Sequence, residues 1–394
     1  MRAVANAGRV AAGLLLLMGL ASTGAQAQTM IIGNDEKPGW DKDAKPILNP
    51  GGHDTLSIVD MSKPGALNMI ATIPLDNSIV GPPTNLAITP KGDLALVANS
   101  VNEVDKDGKP TIVSDDRLFV IDLKASPPAV IDTLRLGKRP SGMAINSAGT
   151  LALVTNRDDG SISVLSIDGK TVKVTDTVTI GTGADSVSAV AITPDGKRAL
   201  ATKPAANKIS VLAIDNGKLT YNKQDLPTGI FPYNVAITPD GKLALTVDNG
   251  NNGGSDGNAD TVSVIDLSAN PVRVIDHVTV GDSPEGLAIS PNGKFAVSIE
   301  ARGSNQPKSS WFYHAGGAVT VLRIDGKKVT PVGEVTVQGL PEGAVFSADG
   351  SYLYVGNFIT KNLSVLRVNG NTLVDTGYAY DLPGQPASLR GGPQ

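Results

Sequence analysis

The sequence predicts an all-β fold: a seven-bladed β-propeller whose blades are four-stranded antiparallel sheets. Three observations lead there. One tight turn recurs six times, one alternating apolar strand recurs seven times, and the two ends of the chain carry complementary fractions of the same unit. Repetition at this period is the signature of a repeat architecture.

The turn reads Thr89-Pro90-Lys91-Gly92, Asn146-Ser147-Ala148-Gly149, Thr193-Pro194-Asp195-Gly196, Thr238-Pro239-Asp240-Gly241, Ser290-Pro291-Asn292-Gly293 and Ser347-Ala348-Asp349-Gly350. Its glycines are 57, 47, 45, 52 and 57 residues apart. Glycine in the last position permits the positive φ that a short hairpin between twisted strands needs. The strand recurs at 55–60 (TLSIVD), 117–122, 161–166, 208–213, 261–266, 318–323 and 362–367. Its period-two alternation of Val, Ile and Leu reads as β. Between turn and strand lies another apolar run, such as 94–99 (LALVAN), and a fourth run closes most units, as at 130–136 and 272–280. Each unit is thus a meander of strands A, B, C and D.

The ends complete the count. Residues 30–34 (MIIGN) form a strand B with no strand A before it, and 386–390 form a strand A with nothing after it. Pairing the N-terminal strands B–D with the C-terminal strand A gives the seventh blade and closes the ring, which removes exposed sheet edges. Asp60, Asp122 and Asp266 end strand C and are expected to hold the following turn.

Strand B ends in Leu-Val-Ala-Asn at 96–99, Leu-Val-Thr-Asn at 153–156 and Tyr-Val-Gly-Asn at 354–357. This repeat resembles that of the YVTN family of β-propellers over nearly the whole chain after residue 27, with Lys203 and Glu300 standing where two units should carry the terminal Asn. The resemblance implies the propeller fold. For function it implies less, because the family is similar to surface-layer proteins, exported binding proteins and relatives of sugar lactonases, and one fold hosts many activities.

Composition narrows the chemistry. The 394 residues contain no cysteine, which excludes disulfides, thiolate metal sites, cysteine nucleophiles and c-type haem attachment. A net charge of −4 without a basic run argues against nucleic acid as a partner. Residues 1–27 read as a secretory signal peptide: Arg2 and Arg9, an apolar run at 10–21, and Ala25-Gln26-Ala27 before a cut ahead of Gln28. The run is too short to span a bilayer, so a periplasmic or secreted monomer with no transmembrane segment is expected.

Strand order places the B–C and D–A loops on one face, the top. Four B–C loops are long, at 35–54, 100–116, 250–260 and 301–317. Long loops on a rigid scaffold commonly carry binding residues. Both tryptophans, Trp40 and Trp311, and two of the three histidines, His53 and His314, lie in them, with Phe312 and Tyr313 alongside. These are the candidate ligand or partner contacts, unless the aromatics fold back as a plug. The third histidine, His277, lies in mid-strand and reads as structural.

The second candidate place is the axial mouth, lined by Thr84, Ser141, Tyr233, Glu285, Glu342 and Ala387, which follow the start of strand A. Glu285, Glu342 and the nearby Glu300 are candidate ligands for a hard divalent cation such as Ca²⁺; paired with Arg139 or Lys203 they would instead be structural. No Gly-x-Ser-x-Gly, His-Glu-x-x-His or P-loop is present. The expected function is an exported binding or scaffold protein, presenting its top face to an unknown small molecule or exported protein. The alternative is a metal-assisted lactonase or esterase at the acidic mouth.

Overall fold

The computed structural model describes Met1 and residues 28–41, 45–78, 81–251 and 254–392; residues 2–27 of the expected leader lie outside them. Seven four-stranded antiparallel sheets stand around one axis. Blade 1 takes strands B, C and D from Thr29–Asn34, Thr55–Asp60 and Asn68–Pro74, and its innermost strand A from Pro386–Gly391. Met30 faces Gly391 and Ile32 faces Leu389, so the predicted closure forms in register. Blades 2 to 7 follow in chain order, with strands A beginning at Leu86, Pro140, Val190, Pro232, Pro284 and Pro341.

The core is divided into wedges. Strand B is buried on both faces, which is why it reads as a continuous apolar run. In blade 2, Leu94, Leu96 and Ala98 pack against Met143, Val154 and Leu165 of blade 3. Ala95 and Val97 pack the other way, against Ile31, Leu56 and Ile58 of blade 1. Equivalent clusters fill the interfaces of blades 3 and 4, 4 and 5, 5 and 6, 6 and 7, and 7 and 1. Strand D, by contrast, is largely exposed.

The recurrent Asn at the end of strand B has a physical role. Asn34 donates through Nδ2 to Thr55 Oγ1 and Ser57 Oγ, both at 2.9 Å. Asn156 does the same to Ser161 and Ser163 at 3.0 Å, and Asn357 to Asn362 and Ser364 at 2.9 Å. Each pins the top of strand C to strand B. The departures use other chemistry, Glu300 still reaching strand C and Lys203 reaching past it to strand D. Lys203 reaches Tyr221 Oη at 2.9 Å and Asp225 at 3.0 Å. Glu300 accepts from Thr320 Oγ1 at 3.0 Å. A third departure, not singled out from sequence, is Asp248, which accepts from Ser263 at 2.6 Å and Thr261 at 2.9 Å.

The strand C aspartates behave as expected. Asp60 accepts from the Ser62 amide at 2.8 Å, Asp122 from Lys124 at 2.9 Å, and Asp266 from Ser268 at 3.0 Å. Two long loops contain hairpins of their own, Pro38–Trp40 with Pro46–Leu48 and Val101–Lys106 with Lys109–Ser114. Among the described residues no helix is long and apolar enough to cross a membrane.

Candidate functional site

Strand A turns its second residue toward the top of the axis, and there the blades differ most. Blades 5, 6 and 7 supply Tyr233, Glu285 and Glu342, at 8%, 8% and 9% exposure. Glu285 and Glu342 hydrogen-bond each other. Burial holds the Glu285 carboxyl up at about 7. Burial, and then the charge of Glu285, push Glu342 well above the usual carboxylate range. Two carboxyls so placed keep one proton between them, because both cannot ionise out of water.

Tyr233 faces this pair, and Arg157 stands behind Tyr233. Arg157 follows the terminal Asn of strand B in blade 3 and is buried. It hydrogen-bonds Tyr233, and its Nη2 donates to Ser186 Oγ at 2.9 Å. Burial, followed by the charge of Glu285, raises the Tyr233 phenol far above its ordinary value, with Arg157 opposing. Tyr233 therefore stays protonated and able to donate. Arg157 is roofed by Gly81, where a Cβ would come within 2.5 Å of Nη1. Arg157 was not singled out from sequence; its only signal is an arginine opening a short top loop whose counterparts in other blades differ.

The three glutamates do not come together. Glu300 turns into its own blade toward Thr320, although its Cα lies opposite Pro284. The cause is the pleat: position B-terminal faces strand C, whereas the second residue of strand A faces the axis. Neither expected basic partner neutralises the pair directly, since Lys203 is held by Asp225 at 3.0 Å and Arg139 lies 3.5 Å from Asp158. Among the described residues no three His, Asp or Glu side chains are grouped as a cation site. With Glu300 turned away, Glu285 and Glu342 offer four side-chain oxygens, fewer than the six to eight that Ca²⁺ takes.

The long loops divide between packing and display. Trp40 folds back: its Nε1 donates to Asn305 O at 3.0 Å, and its ring meets Phe358 edge-on at 5.8 Å beside Ala301 and Leu340. It joins the blade 1 loop to the blade 6 loop. Below it, Lys37 is buried between Asp35 and Asp54, 3.0 Å from Asp35. Trp311 is the reverse case, 80% exposed and edge-on to Phe312 at 5.3 Å, with Gly257 of the blade 5 loop against its ring and against Cβ of Phe312. Phe312 and Tyr313 are half-buried, and His53 and His314 are exposed. His314 Nδ1 lies 3.0 Å from Phe312 O. His277 sits 3.0 Å from Ser263 Oγ in its strand.

This division has a measurable outcome. Trp40→Ala is expected to destabilise the protein by about 3 kcal/mol, the scale of large aromatic deletions. Trp311→Ala should stay within about 0.5 kcal/mol of wild type. Urea midpoints of the two variants check both values, and equal midpoints would contradict the assignment.

No protein-family model matches the chain, and no curated protein matches it. Among solved structures, a candidate 6-phosphogluconolactonase from Bacteroides fragilis superposes with a TM-score of 0.70 at 18% identity, covering 94% of this chain and 99% of that one. The periplasmic gluconolactonase of Pseudomonas aeruginosa superposes with a TM-score of 0.67 at 17% identity, covering 93% and 99%. Hydrazine synthase of Kuenenia stuttgartiensis gives 0.60 at 19% identity, over 80% and 90%. At such identities the likeness is one of fold, and the fold it supports is the seven-bladed propeller described above.

Proposed function

We propose that this protein is an exported hydrolase of lactones or related cyclic esters, acting at the axial mouth. One observation carries the reading: the buried, proton-sharing Glu285–Glu342 pair beside Tyr233, which Arg157 hydrogen-bonds in turn. A carboxylate with a pKa near 7 suits general-base work at neutral pH. In this reading Glu285 takes a proton from water as the oxygen attacks the ester carbonyl. Tyr233 and Arg157 donate to the oxyanion that forms. Glu342 gives its proton to the departing ring oxygen, and the proton held by Glu285 then passes across the pair. Water and lactone go in, a hydroxy acid leaves, and the pair ends with one proton as it began. No metal step is needed. Two of the fold neighbours, a candidate 6-phosphogluconolactonase and a gluconolactonase, agree with this class, and their likeness goes no further than fold.

The test is hydrolysis of glucono-δ-lactone and δ-valerolactone, followed by alkali uptake at fixed pH. Glu285→Gln and Glu342→Gln should each lower kcat/KM by at least about a hundredfold, the usual weight of a general acid or base. The rate should rise through pH about 7 as Glu285 ionises, and fall at higher pH as Glu342 loses its proton. Activity that vanishes in chelator and returns with Ca²⁺ would replace this mechanism with a metal-assisted one. A wild-type protein inert toward both lactones would leave the second reading, a binding scaffold using the rim around Trp311, whose 80% exposure favours it.

A further inference from the structure

The axis holds a second place, below the mouth. Strand A carries a small residue at one equivalent position in blades 2 to 6, namely Ala87, Ala144, Ala191, Ala236 and Ala288, and Val345 in blade 7. The register confirms the equivalence, since each faces the third residue of strand B, from Leu96, Leu153 and Leu200 to Leu245, Val297 and Tyr354. In blade 1 the residue facing Ile31 at this position is Arg390.

These positions wall an axial cavity of about 480 Å³ that runs from Thr84 and Asn234 down to the prolines of the A–B turns, Pro90 and Pro194 among them. Its lining is mainly Ala, Ile, Val and Leu, and Arg390 is the one charged residue in it. Arg390 Nε donates to Leu86 O at 3.2 Å. Among the described residues its two terminal nitrogens have no partner and no carboxylate faces it; burial alone lowers its pKa. A guanidinium does not give up its proton in a protein, so the charge stays and requires an anion or water opposite it.

We propose that the axial cavity binds a small organic carboxylate with an apolar body, its carboxylate held by the Nη1–Nη2 fork of Arg390 and its body lying against the Ala and Ile ring. The paired N–H donors of a guanidinium match the two oxygens of a carboxylate, and the volume is that of ordinary ligand pockets. This site is separate from the Glu285–Glu342 pair and does not rest on the hydrolase reading.

The experiment is calorimetric titration of the mature protein with octanoate and benzoate, and with octanol and benzyl alcohol as neutral counterparts. The carboxylates should bind at least tenfold more tightly than the alcohols. Arg390→Ala installs the residue five other blades carry, so the ring should fold, shown by an unchanged β-sheet circular dichroism spectrum; that variant should lose the carboxylate preference. Arg390→Lys should keep part of it, having charge without the fork. A chain ending at Gly392 should bind as wild type does. Equal affinity of Arg390→Ala for octanoate would overturn the proposal, as would tighter binding of inorganic phosphate than of octanoate. Binding seen only after removal of the last two residues would overturn it too, by making the chain's own terminus the anion.

Discussion

A chain shortened to end at Gly384 is expected not to fold. The deletion removes Pro386–Gly391, the innermost strand of blade 1, with Ala387 and Ser388 at 0% exposure and Leu389 at 4%. It strips the ladder from Thr29–Asn34, every residue of which is buried, and leaves a buried strand edge bare. Each lost backbone hydrogen bond costs about 1 kcal/mol and the buried Leu about 2 kcal/mol more. With the unpaired polar groups left behind, the total reaches the 5–15 kcal/mol that a domain of ordinary stability possesses. Leu389→Ala is the milder version, costing about 2–5 kcal/mol. Circular dichroism and a urea titration check both, and a truncated chain with a wild-type sheet signal and a cooperative melt would refute the closure argument.

The second large effect is in pH. Burial raises Glu285 and Glu300 to about 7, and Asp248 and Asp260 to about 6. Raised carboxyl pKa values act in one direction. Below pH about 4 both the folded and unfolded states hold these protons, and the stability they confer is fully present. As pH climbs toward 7 the unfolded state releases protons that the folded state keeps, so stability falls. Below that range the opposite group enters: Lys327 holds Asp266 near 2, an advantage lost only in strong acid. The protein should therefore melt at a higher temperature at pH 5 than at pH 8. Glu300 alone accounts for about 3 kcal/mol of the slope, at about 1.4 kcal/mol per pKa unit. Glu300→Gln removes the charge while keeping a partner for Thr320, so it should raise the melting temperature at pH 8 and flatten the profile. A variant whose profile is unchanged would show that Glu300 does not carry the effect.

The fold was legible because it is written seven times. The alternation recurs in all seven units, the turn in six and the terminal Asn in four, and local agreement of this kind is what specifies a structure. The two loop hairpins were not legible in that way. Val101–Lys106 and Lys109–Ser114 are mostly polar and half-exposed, so no buried face imposes an alternation; the signal available was the Asp107-Gly108 turn. The site was legible in part. Glu285, Glu342 and Tyr233 stood out because they break the repeat at one position. The meeting of the two glutamates beside Tyr233 depends on which way each strand faces, as does the turning away of Glu300. Arg390 was visible by the same logic of broken repetition, had the C-terminal strand been compared residue by residue with its six counterparts. Trp40 and Trp311 share a composition argument that could not separate them, since only packing decides which ring is covered.

The pairing of Met30 with Gly391 also sets a clock. Thr29–Asn34 finds one partner early in Thr55–Asp60, but its other edge stays bare until Pro386–Gly391 docks, so the ring cannot close before that strand is present. Loop closure over such a separation is slow and entropically costly. Blades 2 to 7 each draw their four strands from one contiguous stretch, so docking of Pro386–Gly391 onto blade 1 is the step that spans the chain and turns an open row of blades into a rigid ring.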